Sequence, residues 1–192
     1  MRPLPAKFYQ RRTEVVAREL VGCVLQTPLF CARLVETEAY LPDNDAACHA
    51  SRGATQRTLP MFESGGILYV YFIYGMHWCV NIVTDVKGRG AAVLLRSAIV
   101  SERNARNQVN EQSRVVSGPG RLSKHLGFDG TFTGTSVLRG STICVFEDEH
   151  TSEYQRRVVA TPRIGISVAT SLLLRFVDVA SVPVKSARGI QH

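Results

Sequence analysis

The stretch Leu68-Tyr69-Val70-Tyr71-Phe72-Ile73-Tyr74-Gly75-Met76-His77-Trp78-Cys79-Val80-Asn81 decides the fold of this chain. The residues before Gly75 are β-branched and aromatic, which is the composition of a β-strand. Gly75 is the residue in this run that adopts a positive φ at little cost, so the chain can turn there. The run therefore predicts a β-hairpin with Tyr74, Gly75 and Met76 at its tip and a return strand over residues 78–84.

The first strand of this hairpin has two different faces, because successive side chains of a strand point to opposite sides. One face carries Tyr69, Tyr71 and Ile73, and the other carries Leu68, Val70, Phe72 and Tyr74. Two interpretations are open: a core strand that happens to be aromatic, or a row of rings that stacks on or wedges into nucleic acid. Tyr74 and Met76 favour the second interpretation, because burial is hardest at a turn.

The composition is that of a globular chain with an excess of positive charge. The 192 residues suffice for one domain with a substantial core, and 45% of them are hydrophobic. Twenty-three Lys and Arg against 16 Asp and Glu give a net charge of +7, which favours an anionic partner such as nucleic acid. The N-terminus lacks the apolar segment of a signal peptide, and no apolar run reaches the ~20 residues of a membrane span. We therefore expect a cytoplasmic protein that does not bind a membrane.

The cysteines and histidines predict no metal site. The five cysteines form no C-x-x-C pair, and Cys48-His49 does not have the spacing of zinc ligands. Most of the cysteines lie in apolar runs, where they act as small buried hydrophobic residues. We expect free thiols, a reducing compartment and no cofactor.

The order of predicted elements is rich in strands. We expect a helix from Thr13, as its N-cap, to about Val21, and a partly helical, polar segment over residues 101–116. A further short helix opens at residues 117–120 and ends at Gly127. Strands are predicted near residues 24–26, 31–40, 91–100, 143–146, 163–168 and 173–179. Because no regular β-α-β alternation is present, we predict one compact α+β domain. It has a curved, mostly antiparallel sheet, a protruding β-hairpin and a few peripheral helices.

Two glutamates on one predicted strand form the second unusual feature. Glu36 and Glu38 are two residues apart in Val35-Glu36-Thr37-Glu38-Ala39-Tyr40, so both face the same side. The same alternation places Leu34 and Tyr40 beside them, with Arg33, Val35, Thr37 and Ala39 on the other side. Such a pair can divide roles, one carboxylate acting as a base and the other being structural. The alternative is a solvated strand face with surface glutamates.

Arg96 ends an apolar run over residues 91–95. If it is buried, its guanidinium needs an acceptor, and Glu36 or Glu38 is a natural candidate. The alternative is an arginine at a strand end that reaches solvent.

Together these residues resemble the alkyladenine (3-methyladenine) DNA glycosylase family. The similar stretches keep the family's order and span most of the chain: residues 34–40, 46–52, 61–62, 68–81, 93–96, 117–122 and 163–166. The resemblance implies one DNA glycosylase domain over residues 1–192, acting as a monomer on double-stranded DNA. Such an enzyme hydrolyses the N-glycosidic bond of damaged purines such as 3-methyladenine, hypoxanthine or ethenoadenine and leaves an abasic site. Residues 55–58 and 172–176 depart from the family's usual pattern, so the resemblance does not set the range of lesions.

The resemblance also assigns roles to individual residues. It makes Glu38 the general base for the attacking water and makes Arg96 the group that helps to hold this water and the ionised carboxylate. It places Tyr74 in the gap left by a flipped base, with Met76 beside it. The residues that line the base pocket are Tyr40, His49, Tyr71 and Asn81. Because no lysine lies among these residues, a Schiff-base lyase step is not expected and the enzyme is monofunctional.

Two functions of other classes are also open. A non-catalytic module that binds distorted or damaged DNA would have the same shape but would not need the carboxylate of Glu38. A glycosidase that acts on free nucleosides would need the carboxylate but not Tyr74 at the hairpin tip.

Overall fold

The computed structural model describes residues 1–104 and 109–182. Within them it has ten β-strands: β1 (Arg2–Pro3), β2 (Val24–Gln26), β3 (Phe30–Tyr40), β4 (Leu68–Ile73), β5 (His77–Val83), β6 (Ala92–Arg103), β7 (Val109–Ser117), β8 (Cys144–Glu147), β9 (Val158–Thr161) and β10 (Arg175–Asp178). Four α-helices are described: α1 (Ala6–Tyr9), α2 (Thr13–Leu20), α3 (Pro119–Leu126) and α4 (Thr151–Arg156). Short 3-10 turns lie at His49–Arg52, Leu59–Phe62 and Gly130–Phe132. The predicted strand-rich α+β fold is confirmed.

All strands belong to one antiparallel sheet. Along its main path the strands follow the order β1-β8-β2-β3-β6-β5-β4, and β7 pairs with β6. The long strand β3 is central, because β6 covers one of its edges while β2 and β10 share the other. Strand β9 pairs with β10. This arrangement places the second half of β3, with both glutamates, between β6 and β10.

The aromatic hairpin is confirmed, with β4 and β5 paired from Leu68 opposite Ile82 to Ile73 opposite His77. The backbone N–H of Met76 donates to the carbonyl of Ile73 at 3.2 Å, which closes the turn. Both central residues have left-handed backbones, with φ of 52° at Tyr74 and 66° at Gly75. This is the geometry of a type I′ turn, whose first central position Asn or Gly usually occupies.

The two faces of β4 have different environments, as the alternation predicts. Leu68 and Val70 join the main core under α2 and α3. Tyr69 is buried in a second, smaller cluster, against which Tyr71 packs. The row of rings therefore lies away from the main core and faces the candidate site.

The strict alternation predicted for β3 is wrong in its first half. Leu34 pairs with Ala98 and Glu36 with Ser97, so Val35 is an extra residue on β3. The next pair, Thr37 with Leu95, restores the register because Arg96 is the extra residue on β6. A bulge changes the face that following side chains occupy.

As a result, Leu34 packs in the main core with Ala39, and the Thr37 hydroxyl donates to the Ala17 carbonyl of α2 at 2.8 Å. Val35 packs instead against Val177 of β10. Glu36 and Glu38 still share one face, as predicted, since both contact Arg96.

Three other expectations are corrected. Residues 101–103 and 109–116 belong to β6 and β7 rather than to a helix, because polar side chains suit the solvent face of an antiparallel sheet; residues 105–108 lie outside the described part. No strand covers residues 163–168. Strand β9 ends before Pro162, which has no N–H for a sheet. Thr13 is the first residue of α2 rather than its cap, and its hydroxyl accepts from Thr84 at 3.0 Å.

Candidate active site

A cavity of about 280 Å³ lies between the hairpin, the ends of β3 and β6, and residues 164–166. Its lining includes six of the predicted site residues: Tyr40, His49, Tyr71, Tyr74, Asn81 and Arg96. The lining is aromatic and aliphatic with a few polar groups, which is the usual character of a ligand pocket.

Glu38 lies behind the wall of this cavity and is fully buried. Its Oε2 accepts from the Tyr40 hydroxyl at 3.0 Å and faces the Arg96 Nη1 at 3.2 Å. Its Oε1 accepts from the backbone N–H of Ile164 at 2.8 Å. Tyr40, Arg96 and Ile164 all line the cavity, whereas Glu38 does not. Along each of these three contacts, one residue separates the Glu38 carboxylate from the cavity.

The two glutamates have pKa shifts of opposite sign. Burial raises the pKa of Glu38 above its ordinary value, although Arg96, the Ile164 N–H and the Tyr40 hydroxyl act against this rise. Burial also opposes the ionisation of Glu36, but its hydrogen-bonded cations outweigh it and hold the pKa of Glu36 below its ordinary value. Two neighbouring carboxyls with diverging pKa values are the pattern by which active sites separate a proton acceptor from a permanent anion.

Glu36 is the centre of a buried ion cluster. Its Oε1 accepts from Arg96 Nε at 2.9 Å and from Arg175 Nε at 2.6 Å, and the Ser97 hydroxyl donates to its Oε2. The predicted burial of Arg96 against the glutamates is thus confirmed, and the solvent-facing alternative is wrong. Because Glu36 neutralises one side of Arg96, this arginine bridges both carboxylates rather than pairing with Glu38 alone.

Aromatic rings form the opposite wall of the cavity. Tyr69 and Tyr71 stack with centroids 5.6 Å apart, and the His49 ring meets Tyr71 edge-on at 4.5 Å. His49 Nδ1 lies 3.3 Å from the Tyr69 hydroxyl. Burial, together with the nearby Arg57, lowers the pKa of His49, which favours the neutral imidazole. A neutral imidazole keeps one donor and one acceptor.

Two further predicted pocket residues are held firmly. Asn81 is buried on β5, and its Nδ2 donates to the Tyr69 carbonyl at 2.9 Å, which orients the amide. The Tyr40 ring stacks on the guanidinium of Arg163 at 4.6 Å while its hydroxyl donates to Glu38. Burial raises the pKa of Tyr40, so this hydroxyl stays protonated and acts as a donor.

The hairpin tip is exposed. Tyr74 is 78% exposed and Met76 is 70% exposed, which is unusual for large apolar side chains. Tyr74 borders the cavity, whereas Met76 is not among its lining residues. The tip is therefore an apolar projection beside the cavity mouth.

Several residues of this site are not evident from the sequence. The strand alternation places Tyr69 on the same face as Tyr71, but the sequence indicates no role for it. Arg175 and the buried pair Asp45 and Arg163 come from distant positions of the chain, and only the folded sheet brings them to β3. The described residues contain no cluster of three or more His, Cys, Asp or Glu side chains that could hold a metal ion. Nor does any described helix have the length and apolar character to cross a membrane.

Comparison with known proteins agrees with this geometry. A family model described as methylpurine-DNA glycosylase matches residues 7–181. The chain belongs to the methylpurine-DNA glycosylase family. The resemblance drawn from the sequence motifs is thereby confirmed at the level of the family.

Curated relatives from bacteria and archaea cover nearly the whole chain. A protein of Wolbachia sp. subsp. Brugia malayi is 42% identical over 173 residues, 90% of this chain and 95% of its own length. A protein of Methanoculleus marisnigri is 41% identical over 181 residues, 90% of this chain and 93% of its own. A protein of Rickettsia peacockii is 38% identical over 175 residues, 91% of this chain and 89% of its own. Each bears the name "Putative 3-methyladenine DNA glycosylase".

Proposed function

We propose that this protein is a monofunctional DNA glycosylase that flips damaged purines out of duplex DNA and hydrolyses their N-glycosidic bond. One observation carries the proposal: the fully buried carboxylate of Glu38 is held by Tyr40, Arg96 and Ile164, three residues that line an aromatic cavity. A buried carboxylate costs stability unless it is well paired, and a module that only binds DNA has no use for it. Membership of the family and the names of the relatives support the same activity.

The cavity suits a single planar base. Its volume of about 280 Å³ lies just below the range of about 300–1,000 Å³ that is usual for ligand pockets. Tyr40 and Tyr71 offer ring faces on which a flipped purine can stack, and stacking tolerates different lesions. A base can be attacked at its glycosidic bond only after it leaves the duplex, and damaged bases leave at the least cost.

Glu38 is the proposed general base. A carboxylate has about four acceptor positions; the Ile164 N–H occupies one on Oε1 and the Tyr40 hydroxyl one on Oε2, where Arg96 also forms an ion pair. The remaining position, on Oε1, can accept a proton from a water molecule. The water oxygen bonds to the sugar C1′, the C1′–N bond breaks, and the purine leaves with the electron pair. The water proton passes to Glu38, and the products are a free base and an abasic site.

Asn81 is the proposed selectivity group. Its amide nitrogen can only donate, and the hydrogen bond to the Tyr69 carbonyl fixes its orientation. We propose that this fixed side chain in the cavity lining blocks the space that the exocyclic 2-amine of guanine would need. 3-Methyladenine and hypoxanthine lack an amine at this position.

The proposal is tested by replacing Glu38→Gln, which keeps the side-chain volume but removes the base. We expect single-turnover excision of 3-methyladenine, hypoxanthine or ethenoadenine from an end-labelled duplex to fall by at least ~100-fold, as for the loss of a general base. Binding of the same duplex should remain. Excision is read as strand cleavage that appears only after alkali treatment.

The matched control is Asp148→Asn, which removes another arginine-paired carboxylate away from the cavity and should leave excision intact. Unchanged excision by the Glu38 variant would remove this residue from the mechanism. If the wild-type protein binds all three duplexes without cleaving them, it is a damage-binding module. If it releases hypoxanthine from free inosine, it is a nucleoside glycosidase.

A further inference from the structure

A second buried ion pair lies directly behind the cavity wall. The side chains of Asp45 and Arg163 are both 0% exposed, and they form two parallel contacts of 2.6 and 2.7 Å. Arg163 Nη1 also donates to the Ala39 carbonyl at 3.0 Å. Asp45 in turn accepts from the backbone N–H groups of Leu41, at 3.0 Å, and Ala47, at 3.2 Å.

This pair touches two of the groups that hold Glu38. The guanidinium of Arg163 lies 4.6 Å from the centroid of the Tyr40 ring. The next residue, Ile164, donates its N–H to Glu38 at 2.8 Å, although its side chain is 47% exposed. Residues 162–174 contain neither helix nor strand, so the sheet hydrogen bonds do not fix this donor.

A buried ion pair is weak evidence of a role in stability. A buried pair gains about as much as it loses in desolvation, and apolar residues of the same size often do as well. What the guanidinium fork adds is direction, because two parallel contacts fix the orientation of both partners. The geometry of the pair therefore suits a role in orienting the neighbouring groups rather than a role in stability.

We infer that Asp45 and Arg163 are positioning residues, whose ion pair holds the Ile164 N–H on the Glu38 carboxylate and the Tyr40 ring in the cavity wall. The inference rests on the proposed function, because it concerns the base of that reaction. It goes beyond that function by making the orientation of Glu38 depend on a pair that touches neither DNA nor the reacting atoms.

The environment of Glu38 sets the sign of the expected effect. The charged groups around it are Glu36 on β3, Arg96 on β6, Arg175 on β10 and Arg163 itself. Three protonated groups, Tyr40, Tyr71 and Cys79, also face it, and burial raises the pKa of each. An N–H that donates to a carboxylate favours its ionised form, so losing this donor raises the pKa of the carboxyl. A base that must be ionised then works only at higher pH.

The test uses charge-conserving variants, so that the net charge near Glu38 stays the same. Arg163→Lys and Asp45→Glu keep both charges but lose the fitted fork. We expect the acid limb of the single-turnover excision rate against pH to move to higher pH by about 1 unit, the shift for one hydrogen bond to a carboxylate.

The chain offers a closely matched control. Arg33 and Asp148 also form two parallel contacts, of 3.0 and 2.6 Å, and Arg33 also lies over a tyrosine ring, Tyr154, at 5.0 Å. Arg33 also donates to the Gly22 carbonyl, and the ring beneath it is Tyr154 rather than Tyr40, so this pair contacts neither group that holds Glu38. The variants Arg33→Lys and Asp148→Glu should therefore lower stability without moving the acid limb.

A further variant, Ile164→Pro, removes the N–H donor and keeps both side chains of the ion pair, although proline also restricts the backbone of Arg163. This variant should also move the acid limb to higher pH. If Arg163→Lys does not fold, the result for Ile164→Pro decides the test. An acid limb that stays at the wild-type pH in the folded variants, or that moves equally in the control pair, would overturn the inference. The proposed function fails separately, if the wild-type protein itself excises no lesion.

Discussion

At the scale of single residues, Tyr74 occupies a position that lowers stability. A left-handed backbone costs a residue other than glycine about 1–2 kcal/mol, and the Tyr74 ring is 78% exposed, so no packing offsets this cost. Strain that packing does not explain is a reason to look for a function at the same residue. A ring held out beside the cavity mouth has the form of a wedge that fills the gap in a duplex.

The first prediction at this scale concerns Tyr74→Asn. Asparagine is favoured in this turn, so the free energy of unfolding in urea should rise by about 1 kcal/mol. The affinity for a lesion duplex should fall about 5- to 150-fold, which corresponds to the stacking of one ring. Stability and binding would thus change in opposite directions, which general damage to the fold cannot produce.

A suitable control is Leu29→Ala, which shortens another exposed apolar side chain, 64% exposed, at the opposite end of β3 from Tyr40. Its affinity for the duplex should equal that of the wild type. Equal affinities for wild type and Tyr74→Asn would contradict the wedge.

The sequence predicts individual site residues unequally well. Glu38, Arg96 and the rings of the hairpin stand in short motifs, so their types and spacing are visible along the chain. The pair of Asp45 and Arg163 is separated by 118 positions, and no local pattern connects them. Their contact depends on the way in which β3 and residues 162–174 meet in the folded sheet.

At the scale of elements, the sequence predicts well what local contacts determine. The hairpin of β4 and β5 follows from β-branched residues around a turn, and α3 follows from Gly118-Pro119 at its start and Gly127 at its end. The sequence around Val35 does not indicate the bulge, because the bulge depends on how β3 pairs with β6. Residues 101–103 and 109–116 are strands rather than the predicted partial helix, because an exposed strand can carry as many polar residues as a helix.

The prediction at this scale concerns the link between α4 and β3. Asp148, just before α4, pairs with Arg33 of β3, and this hydrogen-bonded contact lowers the pKa of Asp148 from 3.8 to about 2. A carboxyl whose pKa is lower in the folded than in the unfolded protein stabilises the fold above its unfolded pKa. This stabilisation is lost as the pH falls through the folded pKa.

We therefore expect Asp148→Asn to lower the free energy of unfolding at pH 7 by roughly 2 kcal/mol. The difference from the wild type should shrink between about pH 4 and pH 2. Urea unfolding of both proteins at pH 7, 4 and 3 measures it. A difference that stays constant over this range would mean that the contact with Arg33 is not the source of the stability.

At the scale of the whole molecule, the excess of positive charge lies outside the buried site. Three arginines next to Glu38, namely Arg96, Arg163 and Arg175, are matched by the carboxylates Glu36, Glu38 and Asp45. The net charge of +7 is therefore available to an external anion such as the DNA backbone. The helix α3 is one candidate surface, because its Pro119 lines the cavity and its Gly120 packs on His77 of the hairpin.

The prediction at this scale is a steep salt dependence of duplex binding. The logarithm of the affinity should fall linearly with the logarithm of the salt concentration, with a slope of about −3 or steeper, at about −0.9 for each phosphate contacted. The variant Arg121→Gln, on the exposed face of α3, should reduce the magnitude of the slope by about 1.

The control is Arg156→Gln on α4, a helix that contacts the Glu19 carbonyl of α2 through Gln155; it should keep the wild-type slope. Affinity that does not respond to salt would show that the positive charge does not meet the DNA backbone.

The paired bulges of β3 and β6 have a consequence for evolution. Because Val35 is an extra residue, Leu34 in the first part of β3 points into the core, whereas Glu38 and Tyr40 in the second part lie on the side of the cavity. Replacing Val35 by another apolar residue would keep this change of face. Deleting it would leave the extra residue Arg96 of β6 without its counterpart, so the pairing of the two strands beyond this point would shift by one residue. In this region, natural selection should tolerate exchanges of residue type far better than changes of length, and an insertion or deletion here should accompany loss of the proposed activity.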